Sequence, residues 1–77
     1  MRRFFFDVKE GSRVITDKEG RVMTGLDAAA AHAAEVAAAI ARDALPRRKV
    51  REVTVRVSNT QHEPVLSVTV SMEVKRY

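Results

Sequence analysis

The sequence contains no cysteine and no long uninterrupted apolar run. Without cysteine, the chain has no disulfide, no thiolate zinc site and no cysteine nucleophile. Near the N-terminus, three phenylalanines lie between two arginines and Asp7, far short of the apolar core of a signal peptide. Charged residues and His32 interrupt the alanine-rich segment before it reaches the length of a membrane span. We therefore expect a cytoplasmic protein with no membrane partner.

Large apolar side chains are also scarce. The 77 residues include no tryptophan, one tyrosine and three phenylalanines, and eleven of the apolar residues are alanine. A chain of this length supports a single domain, residues 1–77, and such a core rarely supplies more than about 3–5 kcal/mol. This thin core predicts self-association, with a homodimer as the commonest closed form.

The first third of the chain alternates apolar and polar residues, which predicts a strand. Phe4, Phe6 and Val8 fall on one face of it. A turn at residues 10–12 and a β-branched run at residues 13–16 complete a predicted hairpin. A second turn then leads into an extended exit toward the next element.

The period changes to 3.6 over residues 26–45, where all eleven alanines lie, and alanine is the strongest helix former. Pro46 ends this predicted helix. Its start is either a capping box between Thr24 and Asp27 or a cap at Gly25. Opposite a polar face that includes His32, the predicted core face consists of Leu26, Ala29, Ala30, Ala33, Val36, Ala37, Ile40 and Ala44.

Two further alternating runs, residues 53–57 and 66–75, flank a turn-rich loop and predict a second hairpin. The predicted fold class is α+β, in the order ββαββ: a four-stranded antiparallel sheet with the alanine-rich helix packed on one face. The sheet residues expected to face the helix are Phe4, Phe6, Val8, Val53, Val55, Val57, Leu66, Val68, Val70 and Met72.

The net charge is +4 and the isoelectric point is near 10.1, a balance that favours anionic over cationic partners. The basic residues are concentrated in one connector, with Arg47, Arg48, Lys49 and Arg51 close together. Such a run is most often a solvated loop. The alternative interpretation is weak nucleic-acid binding through phosphate contacts.

The residues that usually carry chemistry are isolated along the chain. His32 has Glu35 three residues later but no third ligand, and His62 lies beside Glu63 in a loop. No histidine is placed near the serines and threonines of the last strand, and no glycine-rich phosphate loop occurs. We expect no catalytic residue, no cofactor and no metal, and therefore no enzyme.

Phe5 is the unusual residue of the predicted sheet, because strict alternation places it on the face away from the helix. Arg3 and Arg56 lie nearby on that face, with Arg51 as a further neighbour. Such an aromatic can stack on a nucleic-acid base or on a partner's side chain. We favour the other interpretation, in which the chain's own segment around Met23 or a second subunit partly covers it. These residues and the basic connector form the candidate interaction surface.

The last strand is the candidate edge of the sheet. It is long and has no proline after Pro64, so its free peptide groups would invite pairing with a second copy. Contact between helices through small residues is an alternative route. The alanines outside the predicted core face are Ala31, Ala34, Ala38 and Ala41.

The order of these features resembles a family of short, uncharacterised bacterial proteins classed as a domain of unknown function. The resemblance rests on Arg3-Phe4-Phe5-Phe6-Asp7, a glycine turn, Asp17-Lys18-Glu19-Gly20, Leu26-Asp27-Ala28-Ala29 and the final hairpin. It covers nearly the whole chain and implies the ββαββ fold, but it implies no activity and no site residues. Gly25 departs from the pattern, in which an aspartate is expected before the leucine.

A more distant similarity is to the N-terminal domain of HicB-type antitoxins, which also runs from strands through an acidic, glycine-containing turn into an alanine-rich helix. This similarity implies a small toxin as a protein partner. The DNA-binding segment of those antitoxins has no counterpart in 77 residues. The analogy concerns the fold and carries little about function.

Overall fold

A computed structural model describes residues 1–47 and 50–77. The elements are β1 (Arg2–Glu10), β2 (Arg13–Ile15), β3 (Arg21–Met23), α1 (Leu26–Ala44), β4 (Glu52–Ser58) and β5 (Pro64–Ser71). Every strand pair is antiparallel, and the strands follow the order β2, β1, β4, β5, with β3 also pairing with β1. The α+β class and the single helix over an antiparallel sheet are confirmed.

The predicted number of four strands is wrong, because the described residues form a sheet of five. The segment expected to be an extended exit, Arg21–Met23, is β3, and it pairs with the first half of β1 through Phe4↔Arg21 and Arg2↔Met23. The order along the chain is therefore βββαββ. Local sequence did not reveal this strand, because three residues are too few to show a period and its pairing partner lies far along the chain.

β2 and β3 lie along the same side of β1 and behave as one interrupted edge strand. Val8 pairs with Ile15, and Phe4 pairs with Arg21. Between these two pairs, the edge segment spans six residues while β1 spans four. The two extra residues belong to the loop between β2 and β3. β1 therefore lacks a neighbouring strand in its middle on this side.

The helix lies mainly over β4 and β5, and small side chains form its contact with the sheet. Ala29, Ala33 and Ala37 are fully buried, and Ala41 continues their i, i+4 row. The sheet contributes the larger core residues, of which Phe4, Val53, Val55 and Val57 are the largest fully buried ones. The helix contributes few large apolar side chains, but its alanines let it lie close to a valine-rich sheet, and the sheet supplies the larger core residues.

Three details of the predicted helix face are wrong. Leu26 is 42% exposed, because it is the first residue of the helix, whereas Ala41 is buried. His32 was expected on the polar face, but its ring packs edge-on against Phe6 with ring centroids 4.8 Å apart. Gly25 is the N-cap and no side chain caps the helix, which decides between the two predicted starts.

The last strand is shorter than its sequence pattern predicts. Pairing between β4 and β5 ends at Glu52↔Ser71, and no strand is assigned to residues 72–77. Met72 was expected on the helix-facing surface but is 41% exposed, because the sheet ends before it. Leu66, Val68 and Val70 do face the core, although they are only partly buried.

Candidate interaction surfaces

Asp17 fills the gap in the edge formed by β2 and β3. Its Oδ2 accepts a hydrogen bond from the Phe6 N–H at 3.0 Å, in the place where a neighbouring strand would supply a carbonyl. Its Oδ1 accepts from the N–H groups of Gly20 at 3.0 Å and Glu19 at 3.2 Å. The Asp17 N–H in turn donates to Asp7 Oδ1 at 2.9 Å. One carboxylate thus joins the loop to the centre of β1.

This network also sets the electrostatics of Asp17. Partial burial by itself would raise the pKa of the carboxyl, but the donated N–H groups of Gly20, Phe6 and Glu19 outweigh it, helped by the positive charge of Arg3. The pKa of Asp17 is therefore lower than its ordinary value of 3.8. The carboxylate is charged at neutral pH, which is the form that accepts these hydrogen bonds.

Gly20 closes the same loop in a conformation that favours glycine. Its φ is +73°, and a Cβ there would lie 2.8 Å from the Phe4 carbonyl oxygen and 2.9 Å from the Phe5 ring. Both the left-handed backbone and the close approach exclude a larger residue without rearrangement. The edge formed by β2 and β3 is thus blocked by a tightly fitted loop and carries arginines at Arg13 and Arg21.

The opposite edge, β5, has none of these protections along most of its length. In the part of the chain that the structure describes, β5 pairs with β4 alone. Residues 64–71 carry no charge, and their only proline is the first residue. An irregularity at Val57/Ser58 leaves Val65 as an extra residue, so regular edge backbone begins at Leu66. Edges of this kind are usually protected by charge, proline or cover.

The sheet face away from the helix holds Phe5, Arg3 and Arg56, as predicted. Phe5 is only partly exposed, because its ring lies against Gly20 on one side and the His62 ring at 5.7 Å between centroids on the other. Arg3 donates through Nη1 to the Glu19 carbonyl at 2.8 Å. The chain itself therefore covers part of Phe5, through Gly20 immediately before β3 and through His62.

A shallow depression of about 370 Å³ lies on the same open face, nearer the other end of β1. Its polar and charged lining includes Asp7, Lys9 and Arg56, with Ser67 and Thr54 beside them. Thr54 and Thr69 share a hydrogen bond of 2.8 Å across the β4–β5 pair. Because the lining carries both positive and negative charges, the depression favours neither an anionic nor a cationic ligand.

The described residues of the predicted basic connector, Arg47 and Arg51, lie apart from the surface around Phe5. Arg51 precedes the start of β4, whereas Phe5 pairs with Ser58 at its end, about 20 Å away at the usual rise of a strand. Arg47 forms an exposed ion pair with Asp43 at 3.4 Å. Arg48 and Lys49 lie outside the described residues. Nucleic-acid binding by Phe5 together with the connector would need a ligand that spans this distance.

The two histidines lie on opposite faces of the sheet, since His32 packs on Phe6 and His62 packs on its neighbour Phe5. Among the residues that the structure describes, no group of three or more histidine, aspartate or glutamate side chains is arranged to hold a metal ion. Within the same residues, no helix has the length and apolar character needed to cross a membrane.

Sequence reasoning missed the role of Asp17, although a signal for it was present. Aspartate followed three residues later by glycine is the pattern of a turn in which the carboxylate accepts backbone N–H groups. The contact to Phe6 could not be read in this way, because it depends on how the loop docks on β1.

These features define a small α+β domain in which one helix covers an antiparallel sheet with one blocked edge and one open edge. The family model described as "Domain of unknown function (DUF6894)" matches residues 3–71. The chain belongs to this family, which confirms the predicted membership of an uncharacterised family. No curated protein matches the chain, and no solved structure does. The similarity to HicB-type antitoxins, with the toxin partner it implies, stays a prediction.

Proposed function

We propose that this chain is a small, non-catalytic interaction module of the cytoplasm that works as a homodimer, with β5 as the pairing edge. The observation that carries the proposal is the contrast between the two sheet edges. The edge formed by β2 and β3 is interrupted, and the Asp17 loop fills the gap. The β5 edge, by contrast, is an uninterrupted strand with uncharged and mainly β-branched or small side chains. Evolved sheets seldom leave such an edge uncovered.

Partial burial of the β5 side chains supports the same surface. Leu66, Val68 and Val70 pack on the core but remain partly exposed, unlike their β4 neighbours Val53 and Val55, which are fully buried. A second copy beside β5 would extend the sheet and cover these three side chains. A second copy would also bury additional apolar surface, and a single chain of this size buries little.

The helix does not obstruct this approach. His32 contacts Phe6 of β1, so the helix flank that carries His32 faces β1. The residues that follow the buried alanine row by one position lie on the other flank, toward β5. These are Ala30, Ala34 and Ala38, and their small side chains leave room for a neighbouring copy.

Light scattering on the full chain at micromolar concentration tests the proposal. We expect a mass about twice 8.6 kDa. Val70→Lys should shift the protein toward the monomer, because a charge on the helix-facing side of the edge opposes pairing. Ile15→Lys is the matched control, since Ile15 is also a β-branched, helix-facing residue of an edge strand and pairs with a buried valine.

Circular dichroism should show that both variants keep the fold. A strictly monomeric mass for the parent chain at every concentration would refute the dimer. Equal effects of the two lysine variants would refute the assignment to β5. A stable monomer that captures an extended peptide at β5 would instead show that the edge pairs with a different protein.

A further inference from the structure

The segment after β5 has the sequence pattern of a strand but lies beyond the sheet. Met72 and Val74 continue the apolar alternation of Leu66, Val68 and Val70, yet they are 41% and 57% exposed. Lys75 and Glu73 form an exposed ion pair at 3.8 Å, so both side chains lie on the same side, as alternate residues of an extended chain do.

Among the described residues, no strand pairs with residues 72–75. β4 begins at Glu52, whose partner is Ser71, and Arg51 forms a bend where the chain turns into the strand. Residues 72–75 therefore extend past Glu52, the first residue of β4. Met72 and Val74 line a depression with Leu45 and Val50, but no described strand pairs with their backbone.

The irregularity at Val57/Ser58 limits the other end of the usable edge. Because Val65 is the extra residue there, regular strand backbone extends from Leu66 onward. The stretch from Leu66 to Val74 has five apolar residues on one face, and Val70 is at its centre. A two-fold axis at Val70 maps this apolar set onto itself.

We infer that two copies pair their last strands antiparallel with Val70 of one copy opposite Val70 of the other, and that residues 72–74 become strand in this dimer. This inference rests on the proposed homodimer and specifies its register. Leu66 then faces Val74, and Val68 faces Met72. On the open face, Ser67 faces Glu73 and Thr69 faces Ser71, so no like charges are opposite each other.

Neighbouring registers fit less well. Centring the axis on Thr69 places Val74 opposite Pro64, at the irregular end of β5. Centring it on Ser71 places Leu66 opposite Arg76. Only the axis at Val70 gives every member of the apolar set an apolar partner within the regular backbone.

Cysteine trapping tests this register, and the chain has no native cysteine to interfere. Residues directly opposite in an antiparallel pair have Cα atoms about 4.5–5.5 Å apart, within the range that a disulfide bridges, whereas residues two positions out of register are about 8 Å apart. We expect Val70→Cys to form a cross-linked dimer under mild oxidation, and Thr69→Cys and Ser71→Cys to cross-link at least fivefold more slowly. The double variant Thr69→Cys/Ser71→Cys should cross-link faster than either single variant, because residue 69 of one copy lies opposite residue 71 of the other.

The tail provides an independent test. Val74→Lys should weaken dimerisation roughly tenfold, because Val74 faces Leu66 of the second copy near the core. Tyr77→Lys adds the same charge at the fully exposed end of the tail and should leave the dissociation constant unchanged. Neither residue belongs to the core of the single chain, so circular dichroism should be unaltered.

The outcomes separate the register from the dimer itself. A dimer that cross-links fastest at Thr69 or Ser71, or that tolerates Val74→Lys, overturns the register while leaving the proposed function intact. A chain that is monomeric by light scattering and gives no cross-link at any position overturns both.

Discussion

Asp17 accepts, with one carboxylate, hydrogen bonds from the loop that carries it and from the strand beside it. This arrangement lets an edge strand break between β2 and β3 without leaving the Phe6 N–H unpaired. Unpaired buried peptide groups are costly, so the position is sensitive to the loss of an acceptor.

We expect Asp17→Asn to destabilise the fold by about 1–2 kcal/mol at pH 7, the lower part of the range for charged hydrogen bonds because the carboxylate keeps some contact with solvent. Urea denaturation of both proteins measures this difference. Because the pKa of Asp17 is lower in the folded state, its contribution is complete above the ordinary pKa of 3.8 and is lost as the pH falls through the folded-state value. The difference should therefore shrink below about pH 4.

Asp43→Asn is the control, since Asp43 forms only an exposed ion pair with Arg47. It should change stability by less than about 0.5 kcal/mol. If the difference in unfolding free energy between Asp17→Asn and the parent chain stayed constant down to pH 2, the assigned role of the charge would be contradicted.

Gly20→Ala tests the closure of the same loop. The substitution combines a positive φ with a Cβ that would collide with the Phe4 carbonyl, so we expect a loss of about 2–3 kcal/mol. Gly11→Ala is the matched control. Gly11 also has a positive φ, +60°, but a Cβ there would meet only the Val50 side chain, at 3.1 Å. That variant should lose about 1 kcal/mol. Equal losses by thermal denaturation would show that the close approach of Gly20 to β1 is unimportant.

At the level of elements, the helix is fitted to the sheet by size as well as by pattern. A row of alanines at i, i+4 spacing contacts β4 and β5, so larger side chains at these positions would force the two layers apart. This explains why a helix with few large apolar residues still encloses a core.

Ala37→Leu should therefore destabilise the fold by about 1–3 kcal/mol, despite adding apolar surface. Ala39→Leu places the same side chain on the exposed side of the helix and should change stability by less than about 0.5 kcal/mol. Chemical denaturation measures both. An Ala37→Leu variant as stable as the parent chain would show that the helix and sheet are not closely apposed there.

For the whole molecule, the difference between the two sheet edges would restrict the proposed association to one side of the sheet. One edge is closed by a loop and by arginines, while the other is open, so a closed pair of two copies is favoured over an open-ended sheet. In the proposed dimer, stability and association are coupled, because a second copy would cover side chains that one chain leaves partly exposed.

The thermal midpoint of the full chain should consequently rise with protein concentration over a hundredfold range. Differential scanning fluorimetry or calorimetry measures it directly. For Val70→Lys the midpoint should be nearly independent of concentration. A midpoint that is invariant for the parent chain as well would contradict a coupling between folding and dimerisation.

The sequence by itself determined the features that repeat with a local period. Phe4, Phe6 and Val8 marked β1, the alanine segment marked the helix, and the valines at 53, 55 and 57 marked β4, because each pattern is set by neighbours along the chain. It also placed Phe5 and Arg56 on the open face, since alternation along a strand fixes the side of the sheet.

Only the tertiary structure decided which backbone groups meet. The pairing of β3 with β1, the contact of Asp17 with Phe6 and the end of β5 at Ser71 all depend on residues far apart in sequence. Residues 72–75 have the alternation of a strand, yet a strand forms only where another backbone is present to pair with it. The same physical rule separates the two edges of the sheet, because an edge is blocked or open according to what docks beside it.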